Sequence, residues 1–235
     1  MSEFNTNISN VAVAQLLNEL CATADVLYRD FNARKVRVSS HPDTVIGIRI
    51  PYLRKYAKRL AKHIDGDEAI AILQGEAQKC FEYKLLLGLI LQESLPQNMS
   101  DAIALLYDLV DGWAVTDLYN EVLATFALNG YKNEVLSSIL EYQDAINPFA
   151  RRLTIVLFFP LLKHHLVTPD DALMHVHKMQ NDTHYYVEMA CAWLLTELTI
   201  ISPNEVQNFL NHRMVTNPSV WKKYQQKLRD SYRNK

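Results

Sequence analysis

The sequence predicts an all-α protein, an α-α superhelix of antiparallel helix pairs. Three observations carry that expectation. Apolar residues recur at three-and-four spacing along nearly all of the 235 residues. Six glycines and eight prolines are too few for the many tight turns of a sandwich or barrel. The helices fall into pairs that recur about every 35–45 residues, the period of HEAT-like or armadillo-like solenoids.

The elements follow in order. Val11–Asn32 places Val13, Leu16, Leu17, Leu20, Ala24, Leu27 and Tyr28 at helical spacing, which predicts one helix. Pro51 opens a second, Tyr52–His63, with Leu53, Tyr56, Ala57 and Leu60 on one face and Arg54, Lys55, Lys58, Arg59 and Lys62 elsewhere. Further helices are read at Glu68–Leu73, Phe81–Glu93, Asp101–Leu109, Trp113–Ala127, Asn133–Glu141, Phe149–His165, Asp170–Met179, Tyr185–Ile200, Pro203–Asn211 and Pro218–Tyr232. Ser202-Pro203-Asn204-Glu205 and Thr168-Pro169-Asp170-Asp171 read as capped helix starts. Phe81–Glu93, Phe149–His165 and Tyr185–Ile200 are apolar nearly all round, so each is expected between neighbours. No linker or low-complexity stretch divides the chain, which predicts one domain over residues 1–235.

Composition narrows the class. Hydrophobic residues make up 49% and charged residues 21%, which excludes wholesale disorder. The start, Met1 to Asn10, lacks the pattern of a signal peptide. The longest apolar run, Leu153–Leu162, is too short to span a bilayer. Cys21, Cys80 and Cys191 are odd in number and set among apolar residues, as expected of reduced core thiols in a cytoplasmic protein.

A formal charge of −2 hides a strong polarity. Arg29–His63 carries +8 and Arg213–Lys235 carries +6, while Ile64–His212 carries −13 and the first 28 residues −3. Two basic ends are compatible with a polyanion held at both, and with solvated basic faces equally. Trp113, Arg152 and Trp193 lie 39 and then 41 residues apart. Each falls on the second helix of successive pairs, where a solenoid of this period turns them to a common groove. Asp117, four residues after Trp113, shares its helical face. Taken singly, each of the four is more readily a core residue or half of a buried ion pair. The shared register favours a site.

On these residues the chain resembles the AlkD-like DNA alkylation repair glycosylases, HEAT-like repeat proteins, from about Phe31 to Arg233. The carrying stretches begin with Ile46-Gly47-Ile48-Arg49-Ile50-Pro51, Leu53-Arg54-Lys55 and Ala57-Lys58, followed by Trp113-Ala114-Val115-Thr116-Asp117 and Arg152. Tyr185-Tyr186-Val187, Met189-Ala190-Cys191-Ala192-Trp193 and Lys227 to Arg233 complete them. Gly112 precedes Trp113 where some members carry a second tryptophan. The resemblance implies that Asp117 is catalytic, and that Trp113, Arg152 and Trp193 complete a site for double-stranded DNA carrying alkylated bases. Arg54, Lys55 and Lys58 of the basic helix are expected to grip the duplex, and the protein to act as a monomer away from membranes.

The chemistry accounts for these residue types. Alkylation of a purine at N3 or N7 makes the base cationic, so it leaves as a neutral species without protonation. The enzyme then needs to stabilise an oxocarbenium-like sugar and guide a water, which a carboxylate such as Asp117 does. Two indoles hold a cationic nucleotide through their ring faces, and Arg152 fixes the adjacent phosphate. A usual base-flipping pocket is not expected. His164-His165 and His175-Val176-His177 do not share helical faces, so no metal is expected, nor a cofactor. The alternative is a non-catalytic HEAT-like scaffold that binds DNA structures or a protein partner. Asp117 favours the enzyme, and the acidic middle favours the scaffold.

Overall fold

A computed structural model describes residues 2–36 and 45–231, and of residues 2–10 and 35–36 the backbone alone. Arg37, Tyr232, Arg233 and Lys235, which belong to the basic ends or to the resemblance, lie outside the described residues. All regular structure among the described residues is helical, packed as helix pairs. The chain forms two compact units, Met1–Glu134 and Val135–Lys235.

The first unit holds α1 (Ser2–Cys21), α2 (Val26–Val36), α3 (Ile50–Leu60), α4 (Gly66–Ala77), α5 (Phe81–Glu93), α6 (Met99–Leu109) and α7 (Trp113–Phe126). Helix α5 is its axis and packs against α3, α4 and α7. Leu86, Leu87, Ile90 and Leu91 are wholly buried, each stabilising the unit by about 1.5–3 kcal/mol. At Gly88, a Cβ would meet the Tyr119 ring at 2.6 Å, so glycine lets α7 approach α5. The Tyr119 hydroxyl then donates to the Lys84 carbonyl at 2.9 Å.

The expected single helix over Val11–Asn32 is two. Thr23 Oγ1 donates to the Leu20 carbonyl at 2.7 Å, and Asp25 Oδ1 accepts from Tyr28 N at 3.0 Å, capping α2. The loop before α3 is fastened by Glu82, which is 1% exposed. Its Oε1 accepts from Gly47 N at 2.7 Å and Ile48 N at 3.3 Å, and its Oε2 from Ile46 N at 2.9 Å. Gly47 has φ +96° and lies where a Cβ would meet the Asp25 carbonyl oxygen at 2.5 Å, so only glycine suits it. Helix α4 starts earlier than the apolar spacing suggests, because Asp65 and Glu68 form a capping box.

The second unit holds most of α8 (Lys132–Tyr142), then α9 (Pro148–Val156), α10 (Phe158–Lys163), α11 (Pro169–Met179), α12 (Tyr185–Ile201), α13 (Pro203–Asn211) and α14 (Pro218–Asp230). Helix α12 is its axis, packed against α9, α11, α13 and α14. The expected helix Phe149–His165 divides at Leu157, because Pro160 has no N–H to continue the ladder. Thr168 and Asp171 form the expected capping box. Ser202 does not cap α13 through its side chain. It is the sole residue between α12 and α13, and its ψ of 63° departs from the extended conformation that Thr168 adopts, with ψ 160°. Gln180, 1% exposed, fastens the loop before α14. Its Oε1 accepts from Thr216 N at 2.7 Å and Asn217 N at 3.2 Å, and its Nε2 donates to the Met214 carbonyl at 2.7 Å. Of the three thiols, Cys191 is buried as expected, but Cys21 and Cys80 are part-exposed.

Candidate active site

In the first unit, Trp113 is the first residue of α7 and Asp117 lies one turn on. Both residues are part-exposed. Thr116, between them, donates its hydroxyl to the Trp113 carbonyl at 2.7 Å, with Asp117 Oδ1 at a longer 3.4 Å. The helix start has no side-chain cap, since Gly112 supplies none. It is held from the residue before: Asp111 forms an ion pair with Lys84 of α5, whose side chain is 6% exposed. Asp111 therefore serves the buried face, away from Asp117.

Glu121 extends the stripe from Trp113 and Asp117 by one more turn. Arg54 Nη2 lies 3.1 Å from Glu121 Oε2, which brings one of the expected DNA-binding cations to the helix that carries Asp117. The other cations of α3 divide. Lys58 Nζ lies 3.8 Å from Glu93 Oε1 and Arg59 Nη2 2.9 Å from Glu19 Oε2, while Lys55 is exposed with no ion pair to a described residue. The basic helix is thus partly neutralised by carboxylates of α1, α5 and α7. These pairs are exposed, so each contributes under about 1 kcal/mol and yields readily to a competing anion.

In the second unit, Arg152 and Trp193 sit on α9 and α12, two helices in contact. Arg152 is 4% exposed, and its Nη1 donates to the Tyr186 carbonyl at 3.0 Å. Its guanidinium is therefore built into the unit rather than extended on the surface. Trp193 is part-exposed, with the Phe159 ring at 4.4 Å between centroids. Lys227 of α14 holds its ammonium over the Trp193 ring, 5.8 Å from the centroid.

The chain matches the DNA alkylation repair enzyme family over residues 16–228. It belongs to that family. No curated protein and no solved structure matches it. Membership makes DNA the macromolecule of interest, and Trp113, Asp117, Arg152 and Trp193 fall inside the matched span. No described helix is long and apolar enough to cross a membrane.

Several residues at the site were not singled out by sequence. Glu121 was legible, being eight residues after Trp113 on one stripe, and Lys227 stands likewise eight after Ser219. The Lys84–Asp111 pair has no sequence signal, because it joins α5 to the loop before α7, 27 residues on.

Proposed function

We propose that this family member is a monofunctional DNA glycosylase that hydrolyses the N-glycosidic bond of cationic N3- and N7-alkylpurines in duplex DNA. It is read as a monomer of HEAT-like repeats acting in the cytoplasm. The observation that carries the reading is a part-exposed Asp117 one turn from a part-exposed Trp113, on a helix start held by a part-buried ion pair. Asp117 stabilises the positive charge that develops on the sugar as the neutral base departs, and accepts a hydrogen bond from the attacking water. Water adds to C1′ and gives up its proton, the C1′–N bond breaks, and the bonding pair leaves with the base, neutralising it. Trp113 faces the cationic nucleotide. Arg152 and Trp193 complete the site in this reading, and Arg54, Lys55 and Lys58 hold the backbone.

The carboxylates paired to Arg54, Lys58 and Arg59 favour a second reading, a scaffold without catalysis, because they lower the free positive charge of α3. Release of methylated bases from alkylated duplex DNA separates the two. The glycosylase releases 3- and 7-methylpurines, and Asp117→Asn does so far more slowly. No release by the wild type in large enzyme excess selects the scaffold.

A further inference from the structure

Glu121 stands one turn beyond Asp117 on α7, and exposure rises along the stripe from the part-exposed Trp113 and Asp117 to the exposed Glu121. Its partner comes from another helix. Arg54 Nη2 lies 3.1 Å from Glu121 Oε2, and both side chains are about half exposed. Helices α3 and α7 each pack against α5, so the pair links the two neighbours of that axis. The backbone beneath it is fastened separately. Thr125 Oγ1 donates to the Glu121 carbonyl at 2.9 Å, and Gln92 Nε2 of α5 donates to Thr125 Oγ1 at 2.9 Å. Glu121 therefore keeps its place when Arg54 is drawn away. A second pair of the same kind lies nearby: Lys58, one turn after Arg54 on α3, is 3.8 Å from Glu93, the last residue of α5. The Gln92–Thr125 bond sets that end of α5 two turns along α7 from Asp117.

Arg54 has two anions to choose between. Without DNA its guanidinium neutralises Glu121. The exposed pair is weak, and a phosphate offers the guanidinium a bidentate partner. Once a phosphate takes Arg54, Glu121 is a bare carboxylate beside Asp117. That charge attracts a cation on the same stripe and does nothing for a neutral base. An N7-alkylated purine is cationic, whereas every undamaged base is neutral. As the glycosidic bond breaks, the positive charge moves from base to sugar but stays at one unit. A carboxylate one turn from Asp117 therefore acts on ground state and transition state alike, which is recognition rather than rate.

We propose that Glu121 is a specificity-determining residue, masked by Arg54 in the free protein and uncovered when a DNA phosphate takes Arg54, so that a bound duplex is sampled for a cationic base. The masking lowers affinity for all DNA, because Arg54 must leave its partner. The unmasking raises the preference for alkylated over intact sites. This rests on the proposed recognition of cationic alkylpurines beside Asp117, not on their hydrolysis.

The test uses the full chain and two duplexes of one sequence. One carries 7-methylguanine, and the other its neutral isostere, 7-methyl-7-deazaguanine. Both have fluorine at C2′ of that nucleotide, which disfavours the sugar cation and keeps the bond intact. Equilibrium binding is measured for wild type, Glu121→Gln, Glu93→Gln, Arg54→Gln and the Arg54→Gln Glu121→Gln double variant, with helical content checked by circular dichroism. Wild type should prefer the cationic duplex by about tenfold. Glu121→Gln should bind the neutral duplex about two- to threefold more tightly, yet prefer the cationic one by only about threefold. Glu93→Gln releases Lys58 in the same way but leaves the α7 stripe intact, so it should tighten both duplexes alike and keep the wild-type preference. In the Arg54→Gln background, Glu121→Gln should tighten the neutral duplex less than it does alone, because no guanidinium remains to be released. A preference absent from wild type, unchanged in Glu121→Gln, or lost equally in Glu93→Gln would overturn the proposal. So would equal tightening of the neutral duplex in both backgrounds, because Arg54 would then mask nothing. Excision of 7-methylguanine from the unfluorinated duplex is assayed on the same preparations. Excision with an unchanged preference removes the Glu121 assignment alone, and a Glu121-dependent preference without excision removes the hydrolytic reading alone.

Discussion

Trp113 and Trp193 are alike as residues and opposite in surroundings. Trp113 begins a stripe that continues through the carboxylates Asp117 and Glu121, whereas Trp193 lies beneath Lys227, on which the positive charge of Arg152 also acts. An indole face accepts a cation, and the neighbouring charges decide whether a ligand supplies it or the protein already has. The first unit therefore sets its indole among carboxylates, and the second sets its indole under a cation. The chain's formal charge of −2 averages these environments and conceals both.

The contrast extends to how each unit fastens its loop, and the largest predicted effects lie there. Glu82 is a carboxylate that receives three backbone N–H groups, while Gln180 is a neutral amide that both accepts and donates. Glu82→Ala leaves three donors buried and a charge-assisted set broken, at about 3–5 kcal/mol. Gln180→Ala should cost about 2 kcal/mol. Urea unfolding of both variants checks the order, and a smaller loss for Glu82→Ala breaks this part of the comparison.

Acid should weaken the second unit through His175. Burial first, and the charge of Lys178 next, push its pKa down to about 4, with Asp144 opposing. The unfolded chain binds that proton below about pH 6.5, and the folded chain binds it only near pH 4. Between those values the unfolded state holds more protons, so stability falls as pH falls, by about 3 kcal/mol across the window. His175→Gln should flatten this dependence and retain an acceptor for Thr154 Oγ1, which lies 3.0 Å from His175 Nε2. A pH profile unchanged by that substitution would assign the acid sensitivity to other groups.

A smaller effect sharpens the account of α3. Glu121→Gln releases Arg54 from its exposed pair, so affinity for undamaged duplex should rise by about two- to threefold, with a slightly steeper salt dependence. Equal affinity would show that Arg54 faces no phosphate.

The helices were legible because three-and-four periodicity is local, and their breaks were less so because single polar residues make them. Thr23 and Asp25 split the first expected helix by engaging backbone groups that periodicity does not register. Pro160 was visible, yet the apolar run around it concealed the interruption. Register placed Trp113, Asp117 and Trp193 on helices, and all three are part-exposed. The opposed electrostatics of the two indoles were not legible, because Lys227, 34 residues after Trp193, reaches it only through packing of α14 on α12. Two carboxylates of the acidic middle segment likewise meet the basic helix in the pairs Arg54–Glu121 and Lys58–Glu93, which join distant helices.

The catalytic role proposed for Asp117 is tested most directly by single-turnover excision beside equilibrium binding on one methylated duplex. Asp117→Asn should lose on the order of 10²–10³ in excision rate, about 3–4 kcal/mol, because a counter-charge needed only in the transition state has gone. Its affinity should stay level or rise slightly, since a carboxylate has left the neighbourhood of phosphates. Arg152→Ala should lose fold stability first, because its buried guanidinium donates to the Tyr186 carbonyl. Equal losses of rate and affinity in Asp117→Asn would contradict the account, because Asp117 would then hold the fold or the DNA rather than the sugar cation.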